Sequence, residues 1–281
     1  MSPPLLLVDT PYLLYRAFYG LPDKIKGADG RPVNALLGTV NTILAQADEQ
    51  DARAVACCFG PDAADYRTDL YPAYHAHRPA MPRDLAHQWK RAPDLMRAFG
   101  WHVHEHDSLE ADDLLGSLAK AEEEAGGDAL IVTADRDLFQ CVTEHVNVLL
   151  FGGRGKEGPP KIDPAEVQRR YGIPPELVPD FIALRGDPSD GLPGAKGIGE
   201  KRAAEILSRC GSLEAALEGA AEDGALGRDQ DLLRAFRDIA TLRPVKVKRP
   251  PDADTDRQGG AAAARELGMK RLAERLESAP G

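Results

Sequence analysis

The chain has 281 residues, 43% hydrophobic and 28% charged. That balance fits one large or two small globular domains and excludes a disordered, collagen-like or membrane-bundle protein. Lys and Arg number 35 against 45 Asp and Glu, a net charge of −10, which would argue against a nucleic-acid partner if the acids were evenly spread.

No apolar run approaches the ~20 residues of a spanning helix. The opening apolar stretch at 3–8 has no basic residue before it and breaks at Asp9, so it reads as a buried strand, not a signal peptide. The four cysteines form no Cys-x-x-Cys pair, which excludes a zinc ribbon or thioredoxin site and points to a cytoplasmic protein with reduced thiols.

In chain order, apolar runs at 5–8, 54–59, 102–104, 129–133 and 146–150 read as strands. Stretches with helical spacing lie between them at 34–49, 82–98 and 110–125. This alternation predicts an α/β domain over 1–162 with a mainly parallel sheet covered on both faces. The GGRGKEGPP stretch at 152–160 is expected to be a hairpin or loop. Segment 60–83 carries Pro61, Pro72, Pro79 and Pro82, and interleaves Tyr66, Tyr71 and Tyr74 with Arg67, His75, His77, Arg78 and Arg83. It is read as a long functional loop, because prolines this frequent oppose a packed regular element. From 163 onward the pattern is helical, at 163–170, 175–184, 199–209, 212–219, 229–239 and roughly 261–278, with an exposed linker at 249–260. A smaller helical lobe over 163–281 is the expectation.

Carboxylates gather at four places: Asp9 after the first strand, Glu110, Asp112 and Asp113 opening a helix, Asp135 and Asp137 after ALIVT, and Asp187 and Asp190 in RGDPSDGLPG. Ligands of open α/β sheets bind outside the carboxyl ends of the strands, so the four groups could converge on one crevice. Each alone has an ordinary reading as a helix N-terminus or turn. Eight bare carboxylates sharing a crevice would repel one another, and hard cations such as Mg²⁺ or Mn²⁺ resolve that conflict with oxygen ligands. Setting the eight aside leaves 37 acids against 35 bases, so the acidic balance does not exclude a phosphate backbone as partner.

Residues 194–203, GAKGIGEKRA, lack the third glycine and preceding strand of a dinucleotide-binding fingerprint, and no Walker A motif exists. A helix–turn–helix fits better. Gly197 and Gly199 allow close backbone approach, the free N–H groups opening the second helix suit a phosphate, and Lys196 and Lys201 add charge. A plain turn between helices is the alternative.

Together the segments LLLVDTPYLLYRAFYG, YRTDLYPAYHAHRP, LEADDLLGSLA, LIVTADRDLFQ and GDPSDGLPGAKGIGEKRAAEIL, with the ending LGMKRLAERLES, resemble the 5′-nuclease family. This family includes the 5′→3′ exonuclease domain of bacterial DNA polymerase I and the flap endonucleases. The resemblance covers nearly the whole chain, without a polymerase region. It implies a PIN-like, mainly parallel sheet, a helical arch over about 60–98 and a C-terminal helix–three-turn–helix lobe. It also implies Asp9, Glu110, Asp112, Asp113, Asp135, Asp137, Asp187 and Asp190 as ligands of two or more Mg²⁺ or Mn²⁺ ions, some through water. Arg67, His75 and Arg78 would face the scissile phosphate, and Tyr74 would stack on unpaired bases. Gly194, Lys196, Gly197, Ile198, Gly199 and Lys201 would hold the duplex backbone, with a K⁺ ion. The implied reaction is two-metal hydrolysis of DNA near a free 5′ end, flap or gap, in primer processing or repair. RNA/DNA hybrids are a further candidate substrate, a monomer is the default, and the place of action is the cytoplasm, at the nucleoid.

Three positions depart from the family pattern. Gly60 stands where an Asp is usual, with Asp62 as a candidate substitute. His75 stands in place of a phosphate-contacting Lys, and Gly191 in place of Asn. A histidine in the Lys role is cationic only when protonated, so activity would fall as pH rises above neutrality. Rival readings are a weakened homologue that binds branched DNA without cutting it and a PIN-type ribonuclease. A phosphatase with Asp-x-Asp after the first strand is excluded by Thr10 and Pro11. The alternating His102, His104 and His106 would share one face of a strand as a zinc trio might, but a half-exposed strand face is the preferred reading.

Overall fold

The computed structural model describes residues 3–152, 158–220 and 224–278. Six strands form one sheet: β1 (Leu5–Asp9), β2 (Ala54–Phe59), β3 (His102–Glu105), β4 (Ala129–Thr133), β5 (Val146–Leu150) and the short β6 (Lys161–Ile162), in the order β3-β2-β1-β4-β5-β6. All pairings are parallel except β5–β6. β1, β2, β4 and β5 are buried throughout, because a sheet covered on both faces has no side for polar residues. The chain builds from β1 out to β3, then crosses back to place β4 on the other side of β1. That reversal puts the ligand-binding crevice at the carboxyl ends of β1 and β4. Of the turn-rich stretch at 152–160, residues 153–157 lie outside the described residues.

Alternating side chains divide the molecule into two cores. Leu5, Leu7, Ala56, Cys58, Ile131 and Val148 face one, and Leu6, Val8, Val55, Cys57, Leu130 and Val132 the other. The first is covered by α6 (Ala111–Glu124) and by a helical lobe of α7 (Pro164–Tyr171), α8 (Val178–Arg185), α9 (Glu200–Cys210), α10 (Leu213–Glu218) and α11 (Gln230–Ala240). The second is covered by α1 (Thr10–Gly20), α2 (Asn34–Glu49), α4 (Arg83–Trp89) and α5 (Ala92–Ala98), with α12 (Arg257–Glu266) and α13 (Lys270–Glu277) joining them. Between β2 and α4 lies α3 (Asp65–Leu70).

Four sequence expectations change. Segment 60–83, read as a loop opposed to any packed regular element, holds the helix α3, and Arg67 and Tyr74 within it are buried. The helix expected over 82–98 is split at 90–91, where Pro93 in the first turn of α5 starts a new helix. The one expected over 261–278 is two, and both pack on the sheet beside Phe99 and Trp101, not on the helical lobe. The stretch 249–260 is not a free linker. Arg53 Nη1 donates to Pro250 O (3.0 Å), Trp101 Nε1 donates to Thr255 Oγ1 (3.0 Å), and α12 begins within it at Arg257. Polar, proline-rich composition identifies a loop but not whether it is tied down.

β3 settles the histidine question. His102 Nε2 faces Pro251 O (3.0 Å), and His106 Nδ1 accepts from Ser108 N and Leu109 N (3.2 and 3.1 Å), so this edge is engaged by chain rather than poised around a metal. The four cysteines are unpaired. Among the described residues no helix is long and apolar enough to cross a membrane.

The strap over this edge is anchored by a buried ion cluster. Glu122 on α6 is wholly buried and accepts from Arg53 Nε (3.0 Å) and from Arg249 Nε and Nη2 (2.9 and 3.1 Å). Removing one member of such a cluster leaves buried charge uncompensated. Glu122→Ala is therefore expected to lower folding stability by about 3–5 kcal/mol, measured by urea unfolding. A loss below about 1 kcal/mol would show that the cluster does not hold the strap.

Candidate active site

Asp9 ends β1 and caps α1. Its Oδ1 accepts from Tyr12 N (3.1 Å) and its Oδ2 from Thr133 Oγ1 (2.6 Å) at the end of β4. Thr133 Oγ1 accepts in turn from Asp135 N (2.9 Å), and Asp135 Oδ1 from Asp137 N (2.8 Å). One hydrogen-bonded chain thus fixes the Asp9 and Asp135 carboxylates and the backbone of Asp137 across the central strand pair. Thr133 was not singled out in the sequence; its signal is a hydroxyl residue closing a strand directly before an acidic turn.

Glu110 and Asp113 form a capping box at the start of α6. Glu110 accepts from Ala64 N (2.8 Å) and Tyr74 Oη (3.2 Å) and pairs with Arg67 Nη1 (2.6 Å). The acidic loop after α8 is a tight turn closed by reciprocal backbone bonds between Asp187 and Leu192, both 2.8 Å. Asp187 accepts from Ser189 N (2.8 Å), Ser189 Oγ and Arg185 Nη2 (3.1 Å). Asp190 Oδ1 accepts from His75 Nε2 (3.0 Å) and Arg78 Nη2 (3.2 Å).

A cavity of ≈ 900 Å³ brings together Asp9, Glu110, Asp112, Asp135, Asp137, Asp187 and Asp190, with Arg67, Tyr74, His75, Arg78 and Arg185 on its walls. Asp113, expected among the metal ligands, is turned away. It is wholly buried, and its oxygens accept from Arg243 N (2.7 Å), Glu110 N (3.2 Å) and Arg67 Nη2 (3.3 Å). Arg67 lines the cavity but is 3% exposed, with its guanidinium spent on Glu110, Asp113 and Ile239 O. It braces the base of segment 60–98, where the resemblance implies an arch, instead of presenting a free cation. Tyr74 is likewise buried, its ring stacked on His75 at 3.8 Å, so stacking on a base would require it to move.

The hairpin after α8 lies apart from this cavity. Lys196, Gly197, Gly199 and Lys201 are exposed, with Gly199 capping α9, while Ile198 is buried as its apolar anchor. Gly194 sits against the Arg185–Gly186 backbone. The sequence also missed Arg185, whose only signal is its place directly before the acidic loop; its guanidinium rests 5.4 Å from the Phe181 ring centroid.

The departures from the family pattern have physical causes. A Cβ at Gly60 would lie 2.5 Å from Leu109 O and 2.7 Å from Ala111 N, so the strand end presses on the backbone of the Glu110 turn and leaves no room for an aspartate. Asp62 is on the cavity wall, paired with Arg78 at 3.3 Å. His75 and Gly191 meet at one interface. His75 N donates to Asp190 O (3.2 Å), and a Cβ at Gly191, where φ is +77°, would lie 3.0 Å from Ala73 O. The arch segment is thereby latched to the acidic loop, and His75 itself adopts a left-handed φ of 54° there. Its Nδ1 faces Asp62 O (2.7 Å) while Nε2 faces Asp190.

Electrostatics mark the crevice as a cation site. Burial, then the negative charge of Asp190, pushes the Asp135 carboxyl up to about 7 from its ordinary 3.8. Burial is also the largest cause raising Asp9, Asp112 and Asp137, and neighbouring carboxylates add to it for Asp112 and Asp137. The donors are all oxygens, which suits Mg²⁺ or Mn²⁺. Among the described residues no group of three or more His, Cys, Asp or Glu side chains is placed to hold a metal ion.

The sequence matches the family model described as 5'-3' exonuclease, N-terminal resolvase-like domain, over residues 4–172, and the one described as 5'-3' exonuclease, C-terminal SAM fold, over residues 173–253. It is 36% identical over 321 aligned residues to a 5'-3' exonuclease of Mycobacterium tuberculosis, with 100% of both chains covered. It is 36% identical over 273 residues to the thermostable DNA polymerase I of Thermus thermophilus, covering 97% of this chain but only 32% of the polymerase. The fold is similar to that of the bacteriophage T5 flap endonuclease solved as a pseudo-enzyme–product complex with DNA and metal ions. There the TM-score is 0.70, with 98% of each chain covered at 17% identity, a likeness of fold.

Two measurements test the site. Gly60→Asp, which restores the usual family residue, is expected to lower the melting temperature and the activity, because the added Cβ strikes backbone; a stable and more active variant would refute the packing argument. The second concerns pH. With the Asp135 carboxyl raised from 3.8 to about 7 by folding, the metal-free fold holds more protons than the unfolded chain between those values, so its stability falls as pH rises through that window. In EDTA the melting temperature should drop between pH 5.5 and 7.5, less so in Asp135→Asn. The gain on adding Mg²⁺ should grow over the same interval. A melting temperature independent of pH in EDTA would contradict the assignment.

Proposed function

The chain belongs to the 5'-3' exonuclease family, and on that premise we propose that it hydrolyses DNA phosphodiesters near a free 5′ end, at flaps and gaps as well as ends. The observation that carries this reading is the convergence of Asp9, Glu110, Asp112, Asp135, Asp137, Asp187 and Asp190 on one crevice at the switch point of the sheet. Bound Mg²⁺ or Mn²⁺ ions would supply a hydroxide nucleophile and stabilise the leaving oxygen.

The chain's own residues do the rest. Asp9 and Asp135, fixed through Thr133, hold the centre of the crevice. Asp187 and Asp190 bring ligands from the helical lobe. His75 and Arg78, released from Asp190, would turn their charge to the scissile phosphate as negative charge develops there. The exposed Lys196, Gly197, Gly199 and Lys201 at the start of α9 suit the duplex backbone, since free N–H groups and lysines bind phosphate without reading sequence; a K⁺ ion at 194–199 belongs to the same reading. The α/β body thus cuts while the lobe positions DNA. The chain spans about a third of the polymerase. Action as a monomer in the cytoplasm, in primer removal or repair and on RNA/DNA hybrids too, is part of the proposal.

The test is a 5′-flap duplex labelled at either end, incubated with Mg²⁺, Mn²⁺ or EDTA. Cutting near the junction that EDTA abolishes, and that Asp135→Ala slows by more than about 100-fold, is expected. Tight binding without cutting under any metal would favour a DNA-binding homologue instead. If His75 supplies charge to the phosphate, His75→Ala should slow cutting and His75→Lys should restore it; an unchanged rate in His75→Ala would remove His75 from that role.

A further inference from the structure

Between α11 and α12 the sequence TLRPVKVKR at 241–249 holds four cations and no acid, in a chain of net charge −10. The segment is extended and runs alongside α6. Arg243 N donates to Asp113 Oδ1 (2.7 Å) in the first turn of that helix, Val245 N donates to Ser117 Oγ (2.8 Å) one turn on, and Arg249 reaches Glu122 near its end. Leu242, Val245 and Val247 pack on the first core, whereas Arg243, Lys246 and Lys248 are exposed. From Val245 to Lys248 burial alternates as an extended chain anchored on one side imposes, which spaces Lys246 and Lys248 about 7 Å apart; Arg243 precedes them across the exposed Pro244.

The three cations are uncompensated. Arg249 is spent on Glu122, but among the described residues Arg243, Lys246 and Lys248 make no ion pair. Arg243 is held by an aromatic ring instead, its guanidinium 3.5 Å from the centroid of Tyr66 on α3, so meeting a phosphate would break no salt bridge. The row also has a defined beginning: Leu242 is on the wall of the active-site cavity. A line of free cations therefore leads out of the crevice and down the flank of the molecule.

We propose that Arg243, Lys246 and Lys248 form a track that binds the phosphates of the unpaired 5′ strand as it leaves the active site, an inference that rests on the nuclease reading above. A single file of charges on an apolar-backed ribbon suits one flexible strand. The duplex is assigned to a different surface, the hairpin beginning α9.

The test is a Lys246→Ser/Lys248→Ser double variant, neither residue being part of the cutting machinery, with Lys246→Arg/Lys248→Arg as the charge-retaining control. Binding is followed by fluorescence anisotropy on duplexes with a 5′ tail of about twelve nucleotides, about two, or none, over a range of KCl. Each lost single-strand phosphate contact should flatten the slope of log K against log salt by about 0.7. The Ser variant should therefore flatten it by about 1.4 on the long tail and bind that tail about tenfold more weakly at low salt. Binding to the short tail and the tailless duplex, metal-dependent cutting of the short tail and the melting temperature should stay as in the parent, and the Arg variant should bind like the parent. An unchanged slope and affinity on the long tail would overturn the track while leaving the nuclease reading intact. An equal loss on tailless duplex would overturn the strand assignment in favour of duplex docking. Failure of the parent to cut or bind any of these DNAs would overturn both readings.

Discussion

Eight carboxylates, Asp62 on the wall among them, crowd one crevice, and their mutual repulsion is the constraint around which the rest of the fold is arranged. Left bare they would favour protonation or opening of the cleft. The structure restrains several of them with fixed donors: Thr133 and a backbone N–H for Asp9, Ser189 and Arg185 for Asp187, His75 and Arg78 for Asp190, and Arg67 with two further donors for Glu110. Asp9, Asp112, Asp135 and Asp137 nonetheless remain raised above their ordinary range. The strain is local to the carboxyl ends of β1 and β4, where a cation would relieve it.

The same donors divide the acids into two kinds. Glu110 and Asp113 are tied into the protein by capping and by Arg67, so they transmit the position of the arch base to the first turn of α6. Asp190 is held by side chains that are themselves candidates for phosphate. Exchanging His75 and Arg78 from carboxylate to phosphate would free an acidic ligand and deliver positive charge in one movement. The arch segment and the acidic loop are linked through that exchange, and the two unusual residues, His75 and Gly191, sit at the seam.

Much of this was legible in the sequence for physical reasons. β1, β2, β4 and β5 read as unbroken apolar runs because both faces of the sheet are covered, and acids that follow such strands fall at the ligand-binding edge by topology. The hairpin at 194–199 was visible as closely spaced glycines between helical patterns. Other features were hidden because a residue type does not reveal its direction. Asp113 differs from Asp112 by one position on a helix, about 100° of rotation, yet one faces the core and the other the crevice. Arg67 reads as a cation for phosphate, but nothing local shows that its partners are Glu110, Asp113 and a carbonyl more than 150 residues away. An amphipathic helix declares that it has a buried face, not which surface it covers, so the return of α12 and α13 to the sheet was invisible.

That return has a consequence for how the molecule comes to exist. Leu6 and Val8, among the first residues of the chain, share a core with Leu272 and Leu276 near its end. Arg275 reaches Asn41 across 234 positions, and Arg53 reaches Asp252 across 199. Contacts of such separation are slow to form because the intervening chain must first be ordered. During synthesis the core shared by α1, α2, α4 and α5 stays incomplete beside Phe99 and Trp101 until residues 257–277 have been made, an interval in which exposed apolar surface invites association with other chains. The α6 side can close earlier, since its covering helices end at Ala240, and α12 and α13 then act as the clasp on the opposite face.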